Sequence, residues 1–291
     1  MPRIVWLNGC ISPIEEATTS VADHAHLYGD GLFEGIRFYD RKVFKLDEHL
    51  ERLYHGCKFL NFEMDIDRPK LRALVLDVCR KANENSGYIR LNVTRGSGLG
   101  LDPRAVKTNP NVMIMISTLA LYGPEFYDTG LDVITSSIRV NVPDALDPRV
   151  KIIGRYPSNI LAKAEANKAG AGEALMLNAQ GYLAECTGDN IFLIKNGVVR
   201  TPHPSCGILQ GITRDTVIQL AKGAGYEVRE ENLTRYDILE SDECFLTGTA
   251  AEVIPMVTLD YRNIGDGKPG PITKKLIGLF REHIATGVPF D

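Results

Sequence analysis

Two apolar periods alternate along this chain and together limit what it can fold into. Stretches such as "YIRLNVTRG", "NVMIMISTLAL", "NIFLIKNGVVRTP" and "DECFLTGT" have strand character. Between them, Leu50, Leu53, Tyr54, Cys57 and Leu60 recur at helical spacing, as do Leu71, Leu74, Val75 and Val78. No repeat or low-complexity tract breaks this mixture, and the apolar runs fall far short of the ~20 residues that a membrane span needs. Turn chemistry adds detail. Asn8-Gly9 in "IVWLNGCIS" predicts a hairpin with both central residues at positive φ, and Asp40-Arg41 turns a second strand pair in "FEGIRFYDRKVFKL". Asp47 is expected to cap the first long helix. "PSNILAKAEANKAG" and "TRDTVIQLAKGAG" read as helices closed by glycine.

The length of 291 residues suggests two domains. Between Ala120 and Gly130 the stretch "ALYGPEFYDTG" loses periodicity and collects glycine, proline and acids, which places a linker there. The expected organisation is a small N-terminal α/β domain over residues 1–119, a linker over 120–130 and a larger C-terminal domain over 131–291. A net charge of -4 with 24% charged residues offers no bulk attraction for nucleic acid or anionic lipid. Six dispersed cysteines without a C-x-x-C pair, and an opening "MPRIVWLNG" unlike a secretory leader, are expected of reduced thiols in a cytoplasm. No metal site is expected.

The chemistry centres on "VKIIGRYPSN", where Lys151 stands against two isoleucines with Arg155 nearby. Most lysines beside apolar residues extend to solvent. A lysine amine becomes nucleophilic toward carbonyls when neutral, and a partly dry site beside another cation favours that form. Such an amine suits pyridoxal phosphate, which also needs a cradle for its phosphate and an acid on its ring nitrogen. Two cradles are available. Gly211, Ile212 and Thr213 open a helix whose first amides and dipole favour an anion, although a threonine there also serves as an ordinary cap. Gly248 in "LTGTAAEV" allows a turn that aims the amides of Thr249 and Ala250 into one concavity. For the acid, "GYLAECTGDNIF" offers Glu185 and Asp189, with Glu185 the candidate.

The combination "YGDGLFEGIR", "HLERL", "YIRLNVTRGSGLGLDPR", the lysine with a tyrosine five residues on, "GYLAECTGDNIFLIKNG", "LQGITRD" and "FLTGTAAEV" resembles the class IV (fold type IV) pyridoxal-phosphate aminotransferases. Within that class it is most similar to the branched-chain amino acid aminotransferases. The resemblance spans nearly the whole chain. It implies a two-domain α+β fold, with mixed, mainly antiparallel sheets flanked by helices. The lysine is expected in the larger domain, with the active site between the domains.

By position, the resemblance makes Lys151 the catalytic amine and Arg52 a phosphate ligand, joined by Ile212, Thr213 and Thr249. Tyr156 matches the partner of the ring's phenolic oxygen and Glu185 that of the ring nitrogen, while Leu209 and Gly188 match residues lying on the ring faces. Phe33, Tyr88, Tyr156, Thr249 and Ala250 match the substrate pocket, Arg90 and Tyr28 the partners of a γ-carboxylate. Tyr28 and Leu101 are implied to reach in from a neighbouring subunit of a homodimer or higher homo-oligomer. The implied reaction is a ping-pong exchange of amino groups between leucine, isoleucine or valine and 2-oxoglutarate. D-amino-acid aminotransferases, (R)-amine transaminases and aminodeoxychorismate lyase share the fold and stand as alternatives. A protein that binds the cofactor without turnover is the reading from another class. Arg155, Cys186 and Asp189 depart from the pattern, where a small polar residue, glycine or serine, and glutamate are usual.

Overall fold

The computed structural model describes residues 4–118 and 121–291. The chain divides into two compact units, one of residues 1–119, 150–155 and 284–291, the other of 120–149 and 156–283. Leu119 and Ala120, where the sequence places the first domain boundary, lie outside the described residues.

In the first unit, Asn8 and Gly9 turn between Ile4–Leu7 and Cys10–Pro13 with φ of 47° and 104°. Asp40 and Arg41, at 45° and 59°, turn between Gly31–Tyr39 and Lys42–Val43. Both hairpins form where turn chemistry puts them, since two positive φ angles match the twist of the flanking strands. Seven strands join in the order Val288–Pro289, Lys42–Val43, Gly31–Tyr39, Gly87–Thr94, Asn111–Ser117, Ile4–Leu7, Cys10–Pro13, each pair antiparallel. Helices Leu46–Phe59 and Arg68–Ala82 pack against the sheet and each other. Leu32, Ile36, Phe38, Leu46, Leu50 and Leu53 are at most 2% exposed, and each such side chain stabilises the fold by roughly 1.5–3 kcal/mol.

The expected cap at Asp47 is corrected. The helix starts at Leu46 behind Lys45, whose φ is 54°, and Asp47 sits in the first turn, bonded to Arg72 at 2.8 Å. Burial of Leu46 draws the helix start forward; Asp47 still favours the positive helix end.

In the second unit, strands run in the order Val228–Glu231, Val198–Pro202, Asn190–Lys195, Glu243–Gly248, Glu252–Leu259, Leu131–Arg139, Glu173–Leu177, Leu183–Cys186. Arg262–Asn263 adds a short edge to Glu252–Leu259. Leu131–Arg139 runs parallel to both its neighbours and Val198–Pro202 parallel to Val228–Glu231, the remaining pairs being antiparallel. With the helices this is the expected α+β class with mixed, mainly antiparallel sheets. Pro157–Lys168 and Ile212–Gly223 form the two helices read from sequence, followed by Gly170 and Gly225 at φ 73° and 86°. Pro271–His283 adds a third long helix.

Two segments fall differently from the sequence-based division. Tyr122, Phe126 and Tyr127, from the stretch read as a linker, pack on the apolar core of the second unit. Val150–Arg155, with Lys151, belongs to the first unit rather than to the larger C-terminal one. Its ties are backbone ones: Leu32 bridges Ile152, Phe33 N–H donates to Lys151 C=O at 3.2 Å, and Gly154 N–H donates to Gly29 C=O at 3.1 Å. A crossing this tight requires glycines, because a Cβ on Gly29 would stand 2.5 Å from Gly154 Cα.

Candidate active site

Strand alternation sorts the first unit's residues onto two sheet faces. Phe33, Gly35 and Arg37 pair with Asn92, Arg90 and Tyr88 on one face. There the Arg90 guanidinium lies 3.5 Å from the centre of the Phe33 ring and the Lys151 amine 4.7 Å from the same ring. Arg90 Nε donates to Asn92 at 2.8 Å. Tyr88 crosses Gly35 so closely that a Cβ there would meet its hydroxyl at 2.2 Å. Thus a lysine amine, an arginine and two aromatic side chains share one face, a set suited to a carboxylate-bearing substrate with an apolar part.

Glu34, one residue on, points the other way, into helix Leu46–Phe59. Its carboxylate accepts from Arg52 Nε and Nη2 and from His49 Nδ1, each at 2.7 Å, at 0% exposure. Burial pushes the Glu34 carboxyl up, but the charge and hydrogen bonds of Arg52 and then His49 outweigh it and hold it down at about 2. Burial also lowers the His49 pKa, with Arg52 and Lys151 adding repulsion against the partly opposing pull of Glu34. Arg52, expected as a phosphate ligand, therefore has two N–H groups committed to Glu34. Neither Glu34 nor His49 was among the sequence candidates. The available signal was a histidine inside the apolar stripe Leu46, Leu50, Leu53 three residues before Arg52.

Tyr28 ends the short helix His24–Tyr28 and its hydroxyl accepts from Gly100 N–H at 3.0 Å. Tyr28 is 43% exposed and Leu101 81% exposed, with Val21 and Leu99 also bare, so an apolar patch surrounds this loop.

In the second unit, Glu185 is the last residue but one of strand Leu183–Cys186, buried, and accepts from Leu209 N–H at 2.8 Å. Asn190 extends the link, reaching Glu185 at 3.4 Å and donating to Leu209 C=O at 2.9 Å. Gly211 then caps helix Ile212–Gly223 with no side chain, and a Cβ on it would strike Asn190 Oδ1 at 2.1 Å. The amides of Ile212 and the buried Thr213 thus open the helix with no side-chain cap. Thr213 lies one residue inside the first turn. Asn190 had no motif to reveal it; its role depends on a loop nearly twenty residues away in sequence.

Gly188 and Gly248 approach each other, a Cβ on Gly248 falling 3.2 Å from Gly188 O and 2.0 Å from Asp189 Oδ1. This sets the turn after Glu185 beside the turn carrying Thr249 and Ala250, both half-buried. The space above Gly188 is open, with nothing within 4 Å of where a Cβ would stand. Tyr156 precedes helix Pro157–Lys168, and Asn159 in that helix donates to Thr187 C=O at 2.8 Å. Each unit thus gathers its own share of the expected residues: Lys151, Arg52, Phe33, Tyr88, Arg90, Tyr28 and Leu101 in the first, the others in the second. Among the described residues no cluster of metal-ligating side chains occurs, and no helix is long and apolar enough to cross a membrane.

Residues 31–259 match the family model of amino-transferase class IV. The chain belongs to the class IV aminotransferases. It is 46% identical to the putative branched-chain-amino-acid aminotransferase of Methanocaldococcus jannaschii, over 96% of this chain and 95% of the relative. The branched-chain-amino-acid aminotransferase of Escherichia coli K12 is 37% identical over 95% of this chain and 92% of its own length. Among solved structures, the Escherichia coli enzyme superposes with a TM-score of 0.91 at 37% identity, covering 95% of this chain and 94% of that one. The branched-chain amino acid aminotransferase of Thermobaculum terrenum, in its PLP-form, gives 0.85 at 31% identity, covering 97% and 94%.

The residues present fit pyridoxal phosphate. A helix start without a side-chain cap suits its phosphate, a buried carboxylate already fixed by Leu209 N–H suits its ring nitrogen, and the bare face of Gly188 leaves room for a flat ring.

Proposed function

We propose that this protein is a pyridoxal-phosphate aminotransferase that moves the amino group between branched-chain L-amino acids and 2-oxoglutarate. The single observation that carries the reading is the Phe33 ring with Lys151 at 4.7 Å and Arg90 at 3.5 Å, which couples a nucleophilic amine to a carboxylate-binding guanidinium over an aromatic surface. The names of the relatives supply the substrate class.

Bound pyridoxal phosphate supplies an aldehyde that captures the donor's amino group and a ring that accepts electrons when the substrate Cα loses its proton. Lys151 would hold the cofactor through its amine and, once released, would serve as the general base that takes the proton from the substrate Cα. Glu185 keeps the ring nitrogen protonated. Ile212, Thr213, Thr249 and Arg52 would hold the phosphate, with Leu209 and Gly188 beside the ring and Tyr156 as the partner of its phenolic oxygen. Phe33 and Tyr88 line the aliphatic side-chain pocket, where the amides of Thr249 and Ala250 bind the α-carboxylate. Arg90 and Tyr28 take the γ-carboxylate when glutamate occupies the same pocket. The bare patch of Val21, Leu99 and Leu101 around Tyr28 supports a homodimer in which Tyr28 and Leu101 serve a neighbour's site. All six cysteines are unpaired, which supports work in a reducing cytoplasm.

The test is a half-reaction. The yellow protein formed with pyridoxal phosphate loses its visible absorbance on adding L-leucine and regains it with 2-oxoglutarate, and Lys151→Ala does neither. Bleaching by D-alanine alone overturns the substrate assignment, and a colourless protein after incubation with the cofactor overturns the enzyme reading.

A further inference from the structure

Behind the turn that follows Glu185 lies a group of buried acids that the function above does not use. Tyr122 Oη stands 3.0 Å from Asp189 Oδ2 and 3.3 Å from Glu173 Oε2, with both acids under 5% exposed. A phenol has one proton and can donate to only one of two carboxylates. The second contact is attractive only when that carboxyl carries a proton of its own and donates it to the phenol oxygen. We propose that Tyr122, Glu173 and Asp189 share one such proton, and that this protonated triad is a positioning device that holds the Cys186–Asp189 turn and leaves Glu185 as the ionised carboxylate at the cofactor's ring nitrogen.

The proposal rests on the reading of Glu185 as the ring-nitrogen partner. The covalent path is short, and Cys186 N–H donates to Asp189 C=O at 2.7 Å, so a shift of Asp189 moves the end of the strand that carries Glu185. Glu173 is anchored by Thr187 Oγ1 at 2.6 Å and by Ala174 N–H at 2.7 Å. Asp189 Oδ1 is buried against Gly248 and has no hydrogen-bond partner among the described residues, as suits a carbonyl-like oxygen better than a full negative charge. The charged and titratable groups facing Asp189 are Glu173, Glu185 and Cys186 from neighbouring strands, Lys163 from helix Pro157–Lys168, and Tyr122. Lys163 is the lone cation of this set, and it donates to Gly172 C=O and lies 5.9 Å from the Tyr122 ring centre. Burial, then the charge of Glu173, raise the Asp189 carboxyl to about 7. On deprotonation the proton leaves to solvent and a second negative charge remains behind Glu185.

Infrared difference spectra of the full chain, taken with and without pyridoxal phosphate from about pH 5 to about pH 9, test this. In wild type a protonated-carboxyl band is lost with a midpoint near neutrality, Asp189→Asn lacks that loss, and Glu185→Gln keeps it. Tyr122→Phe, which retains the ring packing, displaces the midpoint. The dissociation constant for pyridoxal phosphate weakens with rising pH in wild type more steeply than in Asp189→Asn. No band in wild type, a band unchanged in Asp189→Asn or Tyr122→Phe, or parallel affinity profiles overturns the proposal. The signal of the cofactor-free chain does not depend on catalysis, so a failure of the transaminase reading shows separately, in the half-reaction.

Discussion

Glu34 and Arg52 meet through two parallel hydrogen bonds of 2.7 Å, from Nε to Oε1 and from Nη2 to Oε2, at the buried junction of strand Gly31–Tyr39 and helix Leu46–Phe59. The fork geometry fixes the plane of the guanidinium, and His49 completes the carboxylate's coordination from the same helix. The Arg52 guanidinium is therefore held in a preset orientation.

Removing that carboxylate takes two charge-assisted hydrogen bonds from Arg52 and one from His49 beside an apolar core. Glu34→Ala is expected to cost about 3–5 kcal/mol in denaturant unfolding and to weaken cofactor binding. The pair also sets an acid limit. With its folded pKa held down at about 2, Glu34 contributes stability that is present above the unfolded carboxylate range and lost as pH falls toward 2. His49, lowered by burial, acts in the same direction, its share lost as pH falls below the ordinary histidine range. Thermal unfolding of wild type is thus expected to fall more steeply with acid than that of a Glu34→Gln, His49→Gln double variant; parallel curves would refute the assignment.

Phe33 carries the Arg90 guanidinium and the Lys151 amine over one ring. Phe33→Leu keeps an apolar side chain but removes the π face, and each such contact contributes on the order of 0.5–2 kcal/mol. The expected result is a drop of about tenfold in kcat/KM for L-glutamate, read from initial rates, with a smaller change in unfolding midpoint. Equal losses in rate and stability would point to packing alone.

Gly29 is the backbone hinge on which the lysine segment rests. Gly29→Ala combines a φ of 70° with a Cβ 2.5 Å from Gly154 Cα. Its expected cost is on the order of 2–4 kcal/mol, with loss of cofactor colour at temperatures where the variant is still folded. Gly9→Ala is the control, because its φ of 104° is strained but nothing lies within 4 Å of the added methyl. A cost for Gly29→Ala no larger than that of the control contradicts the close-crossing argument.

The thiols should divide sharply. Cys10 is exposed, whereas Cys57 and Cys79 are buried and burial pushes each up to about 12; Cys186 and Cys244 are likewise raised by burial. Since the thiolate is the reactive form, Cys10 is expected to react with a disulfide reagent at neutral pH well before the others, which follow on unfolding. Mass spectrometry of the labelled chain reads the outcome.

Much of the architecture is local and could be read along the chain. The Asn8-Gly9 and Asp40-Arg41 turns, the helix behind Gly211 and the glycine-terminated helices depend on φ preferences and periodicity within a few residues. Lys151, Glu185, Ile212 and Thr213 were singled out from short motifs, and the structure puts Ile212 and Thr213 at a helix start and Glu185 in a buried strand under Leu209 N–H. The start of the first long helix was misplaced because the burial of Leu46 outweighed the capping preference of Asp47.

Other features came only with the tertiary structure. Lys151 belongs to the first unit because its C=O accepts from Phe33 N–H and the next residue, Ile152, bridges Leu32, more than a hundred residues earlier. Glu34 and His49 meet only because strand and helix bring them together. Tyr122 and Asp189 meet across 67 residues. Local sequence dictates what each segment is; which buried charges face one another is decided by long-range packing, because an unpaired charge in a dry interior is too costly for any fold that fails to pair it.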